Sequence, residues 1–230
     1  MPEATTGLWP WVQQMLQLLW PATVETLWMV LPSALGATLL GLPLGVLLVI
    51  LAPGQVAENR PLHQGLSWGV NAGRSFPFII LMVAVIPFTR AVVGTTIGTA
   101  AAIVPLTIAA IPFVARLAES SLLEVDSGLV EAALAMGATP LQIVRKVLLP
   151  EALPSLILGS TLTVITLVGY SAMAGAIGGG GLGDLAIRYG YMRFQTDVMV
   201  VTVVVLIALV QVLQVMGDGL SRALYRRRSG

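Results

Sequence analysis

Residues 131–150 read EAALAMGATPLQIVRKVLLP, and this stretch decides how the rest of the chain is organised. It is the only amphipathic segment in an otherwise almost continuously apolar sequence, and it lies between two long charge-free runs. Its residues predict two short helices with a break. Asp126 or Ser127 can cap the first, and Leu129, Ala132, Ala133 and Met136 fall at i, i+3, i+4 and i+7 on one face. Gly137 is placed to end that helix, since glycine takes the left-handed conformation without a Cβ penalty. Thr139 is the expected N-cap of the second helix, with Pro140 at the first helical position and Gln142 completing a capping box. Leu141, Val144, Val147 and Leu148 make a second apolar stripe, with Arg145 and Lys146 turned away. Pro150 biases Leu149 away from helical geometry and is expected to end the element.

Around this segment the composition sets the solvent. Of 230 residues, 57% are hydrophobic and only 10% are charged. Soluble domains carry roughly 25% charged residues, so the chain reads as an all-α integral membrane protein. A net charge of +1, with the only basic cluster at Arg222 and Arg226–Arg228, gives no footprint for nucleic acid. There is no cysteine and one histidine, His63, so neither a thiolate nor an all-histidine metal site can be built. The N-terminus lacks a basic n-region and a small-residue cleavage site, and no removable leader is expected.

Gaps between charges give the spans, since a helix needs about 20 apolar residues to cross the hydrocarbon. Five are expected, at about 26–51, 65–87, 91–115, 153–177 and 198–217, in a single domain covering 1–230. The segment 119–151 then forms a two-helix loop between the third and fourth. Arg60, Arg116, Arg145, Lys146, Arg222 and Arg226–Arg228 fall on one side, against Arg90, Arg188 and Arg193 on the other. That bias puts the loop and the C-terminus in the cytoplasm and the N-terminus outside. The terminal arginines are expected to snorkel to anionic lipid headgroups. Small residues four apart (Gly41 and Gly45, Gly94 and Gly98, Gly175 and Gly179) are expected to let helices approach closely within the chain.

Other candidate sites are weaker. Gly178, Gly180 and Gly183 spell a G-x-G-x-x-G, but after a membrane helix rather than a strand, so the run reads as a flexible outer turn, with a gating hinge as an added role. Gly181–Asp184 matches the G-x-G-D string of intramembrane aspartyl proteases, yet no second carboxylate lies deep in a span. A Ser–His hydrolase would depend on His63, which reads as a solvated loop histidine. Arg74 either sits within the second span, facing the bundle interior, or reaches the inner interface. Tyr170, Ser171 and Met173 either line a pathway or pack helices, with Ser171 bonding back to its own turn.

The spacing Glu131-Ala132-Ala133, Gly137, Val147 and Leu149-Pro150 resembles the EAA coupling loop of ABC-importer permeases, with valine where isoleucine is usual. The strings Arg74–Leu81, Ile86–Arg90, Ala138–Pro150 and Gly169–Met173, with the glycine-rich turn through Tyr191, are similar to methionine ABC-importer permeases over roughly residues 20 to 225. The resemblance implies a homodimeric permease of five spans per subunit in the bacterial inner membrane. It would hold no cofactor of its own. Two cytosolic ATPase subunits carrying ATP and magnesium would sit beneath it, and a periplasmic or lipoprotein methionine-binding protein would dock above. It implies an importer of D- and L-methionine rather than an enzyme. Glu131, Ala132, Ala133, Gly137, Leu141, Val144, Val147, Leu149 and Pro150 would couple to the ATPase. Arg74, Tyr170, Ser171, Met173, Gly178 and Gly183 would be candidates for a pathway or gate. The rival readings are an importer of another small solute, such as another amino acid or a quaternary amine, and a secondary transporter working alone. Few aromatics argue against a quaternary-amine cage, and charge-free span cores argue against ion coupling.

Overall fold

Three prolines, Pro21, Pro32 and Pro43, lie inside the first helix, α1, which runs unbroken from Leu8 to Ile50. The computed structural model describes the backbone of residues 8–228 and the side chains of residues 9–225, and it is all-helical over that range, without a strand. At 1.5 Å per residue α1 is about 65 Å long, roughly twice the hydrocarbon thickness. It therefore begins well before the expected span at 26–51. The extra turns are held by Met15, Leu19 and Ala22, which pack with Leu182, Leu185 and Val198 near the other end of the sequence.

The return from α1 is the largest departure from expectation. In place of one span at 65–87 there are three helices: α2 (Arg60–Ser75), α3 (Phe78–Ala84) and α4 (Ile86–Val93). Pro77 causes the first break, because its ring excludes helical geometry from the residue before it, and Phe76 is extended at φ −74°, ψ 126°. Arg74 consequently lies in the last turn of α2, exposed, and not inside an apolar span. The Gly94–Gly98 pair is no packing stripe either. Gly94 ends α4 in the left-handed conformation and Gly98 precedes the next helix.

Helix α5 (Thr99–Leu123) runs parallel to α1, since Ser33 bonds the Ile103 carbonyl at one level and Gly45 meets Ala115 and Ala118 lower down. A Cβ on Gly41 would lie 2.7 Å from the Ile111 carbonyl oxygen, so this glycine pair does bring two helices of one chain together. The α5 helix reaches past Arg116, where the expected third span stopped. The charge is matched by Glu119 on the next turn, while the guanidinium donates to Ser67 Oγ (2.6 Å) and Asn71 Oδ1 (2.9 Å) on α2.

Beyond α5 come α6 (Ser127–Ala135) and α7 (Pro140–Ile143), and then α8 (Leu149–Ala174), α9 (Gly181–Leu185) and α10 (Thr196–Arg228). Ser155 on α8 bonds Glu124, and Ser221 on α10 bonds the Pro154 carbonyl, which fastens the lower ends of these helices together. The side chains of Arg226–Arg228 lie outside the described residues. Four helical stretches are long and apolar enough to cross a membrane: 9–50, 99–123, 140–179 and 196–225.

Candidate functional site: a two-faced helical foot

At the end of the bundle where α1 and α5 finish, α6 and α7 form a foot whose local structure follows the residues closely. Asp126 caps α6 by accepting from the Gly128 N–H at 2.7 Å. Gly137 ends it at φ 79°; Ala138 N–H bonds the Ala133 carbonyl and Gly137 N–H the Leu134 carbonyl, the paired pattern of a Schellman ending. Thr139 and Gln142 make the expected reciprocal capping box at α7.

Pro150 does not end the second helix. Residues 144–148 form a π-turn, in which the Leu149 N–H reaches back to the Val144 carbonyl, and α8 follows without a break. The wider turn accommodates the proline ring and its missing donor, as π-bulges do inside long helices. The foot is therefore rigidly continuous with α8, and Leu149 and Pro150 lie within that continuous helix.

The π-turn also rotates the apolar face. Ala133, Ile143, Val144 and Leu148 are buried with Val49, Leu122 and Ala152, and Val147 packs partly against them. Ile143, absent from the expected stripe, is fully buried; Leu141, expected in it, is 65% exposed. Leu129 and Leu134 are exposed, Met136 is 82% exposed, and Ala132 and Glu131 face outward too. The sequence expected one apolar stripe per helix, whereas the foot buries one apolar side on the body and leaves Leu129, Leu134, Met136 and Leu141 exposed. The signal for Ile143 was the five-residue interval from 143 to 148, which fits a widened turn and not a 3.6-residue one.

Replacing Ile143 with alanine removes most of a fully buried side chain from the cluster that seals the foot on the body. We expect a loss of about 2–5 kcal/mol, read as a lowered melting temperature of the purified protein, with the exposed face unaltered.

Beside the foot, Glu131 and Leu134 line an open groove of about 280 Å³ with Val49 at the end of α1 and Gln55 and Val56 of the turn after it. That turn is tied by Glu58, which accepts from Gly54 N–H (2.9 Å) and Arg60 Nε (2.7 Å). The Gly54 bond first, and then Arg60, hold the Glu58 carboxyl below its usual range. Whatever stability this adds is present above the ordinary carboxylate pKa and lost as pH falls through the depressed one.

The remaining candidates do not converge. Tyr170 stacks on Phe78 of α3, centroids 4.6 Å apart and planes within 5°. Ser171 is buried and donates to the Val168 carbonyl of its own helix, while Met173 is half exposed on another face. Gly178 lies in the turn between α8 and α9 and Gly183 within α9; no phosphate cradle remains there, because the Gly181 and Leu182 N–H groups are already bonded to α1. Asp184 pairs with Arg188 and not with a second carboxylate. His63 lies in α2 rather than in a loop, half-buried, with its Nδ1 3.0 Å from the Leu48 carbonyl, an acceptor. Among the described residues no cluster of carboxylates, cysteines and histidine could hold a metal.

A polytopic helical bundle with a helix–glycine–helix foot, apolar on its outer side and continuous with a spanning helix, is the architecture of a membrane transport component. The chain belongs to the family of binding-protein-dependent transport system inner membrane components, whose model matches residues 41–230. It is 60% identical to the probable D-methionine transport system permease protein MetI of Vibrio cholerae, over 91% of this chain and 93% of that one. It is 57% identical to the D-methionine transport system permease protein MetI of Escherichia coli K12, over 71% of this chain and 75% of that one. Its fold is similar to that of a chain of the MetNI methionine ABC transporter in an inward-facing conformation, with a TM-score of 0.91, 53% identity, and coverage of 92% of this chain and 98% of that one.

Proposed function

We propose that this chain is the permease subunit of an ATP-driven importer of D- and L-methionine, acting as a homodimer and doing no covalent chemistry itself. The observation that carries the substrate is the 60% identity, over nine-tenths of the chain, to a probable D-methionine permease. The observation that carries the mechanism is the bare apolar face of the foot.

In this reading the foot is the cytoplasmic coupling element. Exposed apolar side chains outside the bilayer core call for a partner groove. Leu129, Leu134, Met136 and Leu141 supply that face, with Glu131 and Ala132 beside it. Ala133, Val144 and Val147 hold the foot to the body, and Gly137 sets the angle between its two helices. Each of two ATPase subunits, with ATP and magnesium, would seat one foot. Because the helix is continuous from Pro140 to Ala174, a displacement of the foot is transmitted directly to the bundle. The ATPase thereby biases an equilibrium between inward-open and outward-open states.

Five crossings are supported by the parallel course of α1 and α5, which requires α2–α4 to carry the chain back. Arg116 meets Ser67, Gly73 meets Pro112, and Met82 and Thr89 line a small cavity with Ala102 and Pro105, so the contacts climb α5 in reverse order. The broken helices would form the second crossing of a single permease domain in the inner membrane, N-terminus outside and C-terminus in the cytoplasm. A methionine-binding protein would dock at the outer end, and lipid would cover the apolar flanks of α1 and α10. Tyr170, Ser171, Met173, Gly178 and Gly183 remain the pathway candidates; Arg74, at the end of α2, is an interfacial one.

The test is co-expression with a candidate ATPase, pull-down, and ATP-dependent methionine uptake in proteoliposomes. We expect Leu141→Asp to reduce recovery of the ATPase at least tenfold, since one charge must be desolvated in an apolar contact, while the melting temperature of the isolated permease stays unchanged. Undiminished recovery would remove the foot from the interface. Competition by unlabelled amino acids and amines would separate methionine from another small solute, and uptake without ATP would favour a stand-alone carrier.

A further inference from the structure

At the end of the bundle opposite the foot, the glycine-rich turn is fastened to the first helix by two adjacent side chains. Glu25 Oε2 accepts from the Gly181 N–H at 2.7 Å, and Thr26 Oγ1 accepts from the Leu182 N–H at 2.9 Å. Thr26 is 1% exposed, and its hydroxyl proton goes to the Ala22 carbonyl at 2.9 Å, so the oxygen has its acceptor side aimed at α9. Behind the two bonds, Leu182 is fully buried among Met15, Leu19, Ala22 and Val198. A third strap comes from the residue before α5, where the Gly98 N–H bonds the Gly178 carbonyl at 2.9 Å.

The segment so held departs from regular helical geometry. Ile177 and Gly178 leave helical geometry, and Gly178, Gly180 and Gly181 all have positive φ, so α8 and α9 are joined by a swivel. The turn is held at one end by two side chains of α1 and at the other by the Gly98 backbone N–H. Glu25 is also the last charge before a run without any up to Glu58. A carboxylate at the edge of an apolar span is costly unless a donor compensates it, and the Gly181 N–H is that donor.

We propose that Glu25 and Thr26 are positioning residues that latch the glycine-rich turn to α1 in this conformation, and that release of the latch is a step in opening this end of the bundle. The fold is similar to a transporter in an inward-facing conformation, in which the end opposite the foot is the closed one. The proposal rests on the transport reading for the sense of opening and for its ATPase readout.

The chain contains no cysteine, so a single reporter can be placed cleanly. Val198→Cys puts a thiol of similar size at a position 2% exposed, beneath α9. In the reconstituted complex without nucleotide, labelling of that thiol by a membrane-impermeant maleimide is expected to speed up about tenfold in Glu25→Ala, the change from losing one charge-assisted bond. Glu25→Gln keeps a neutral acceptor and should fall between, and Thr26→Val should add to either. Basal ATP hydrolysis by the same complexes should rise several-fold in the same order. Labelling within twofold of the parent in a normally folded Glu25→Ala protein would overturn the latch. So would a lowered melting temperature equal in Glu25→Ala and Glu25→Gln with no graded labelling, which would make the contact a static pin. If the parent retains no ATPase while the labelling order holds, the transport reading fails and the latch survives.

Discussion

Gly137→Val is expected to abolish association with the ATPase subunits and methionine uptake, with the permease still inserted in the membrane. The cause is conformational and not steric. Gly137 sits at φ 79° with nothing within 4 Å of where a Cβ would be. A side chain has room there but the backbone does not tolerate it, at about 1–2 kcal/mol for an ordinary residue and more for a β-branched one. The helix that this glycine terminates, α6, has nine residues and buries one of them, Ala133. So little burial cannot oppose that strain, and the Schellman bonds from Gly137 and Ala138 are lost first. The two halves of the foot then no longer present Met136 and Leu141 on one surface. We expect recovery of the ATPase to fall at least tenfold and uptake with it, while melting of the bundle changes little. Gly137→Asn, whose side chain tolerates the left-handed region, should keep most of both. Normal recovery and uptake with valine would show that the foot's angle does not matter.

Gly183→Ala is expected to prevent assembly of the opposite end of the bundle, for the converse reason. Gly183 is in ordinary helical conformation, so no φ argument applies, but its Cβ would run into the backbone of Ala172. Its counterpart Gly175 is as tight, with the Gly180 carbonyl oxygen 2.8 Å from a Cβ there. Backbone presses on backbone at both points, and neither side can turn away as a side chain could. Overpacking of this kind costs about 1–3 kcal/mol or more. The loss falls on the packing of α9 against α8, with Leu182 and the α1 contacts behind it. We expect a marked drop in yield of folded protein and in melting temperature in detergent. Gly169→Ala, on the open face of α8, should be neutral or stabilising by about 0.5–1 kcal/mol. Equal melting of the two variants would refute the close approach.

Much of this was legible because it depends on neighbours in sequence. The caps at Asp126 and Thr139, the glycine ending at 137 and four of the five expected apolar spans follow from local conformational preference and from the length needed to cross a bilayer. The close approach at Gly41 and Gly45 was legible too, as a spacing. What failed did so where local rules meet a tertiary partner. Pro150 reads as a terminator until a π-turn accommodates it. Arg116 reads as the end of a span until Glu119, Ser67 and Asn71 satisfy it. Arg74 reads either as a charge within a span or as one at the interface, and only the break at Phe76–Pro77 puts it in the last turn of a short helix.

By itself the sequence determined that this is a helical membrane protein with one amphipathic foot, since composition, periodicity and capping each act over a few residues. Only the tertiary structure decided which side of that foot faces the body. A change of one residue in helical pitch rotates a face by about 100°, and the π-turn that causes it is stabilised by what α1 and α5 place beneath Ile143. The same holds for Glu25, which reads as the edge of a span until the fold brings a backbone donor from 156 residues away to meet it.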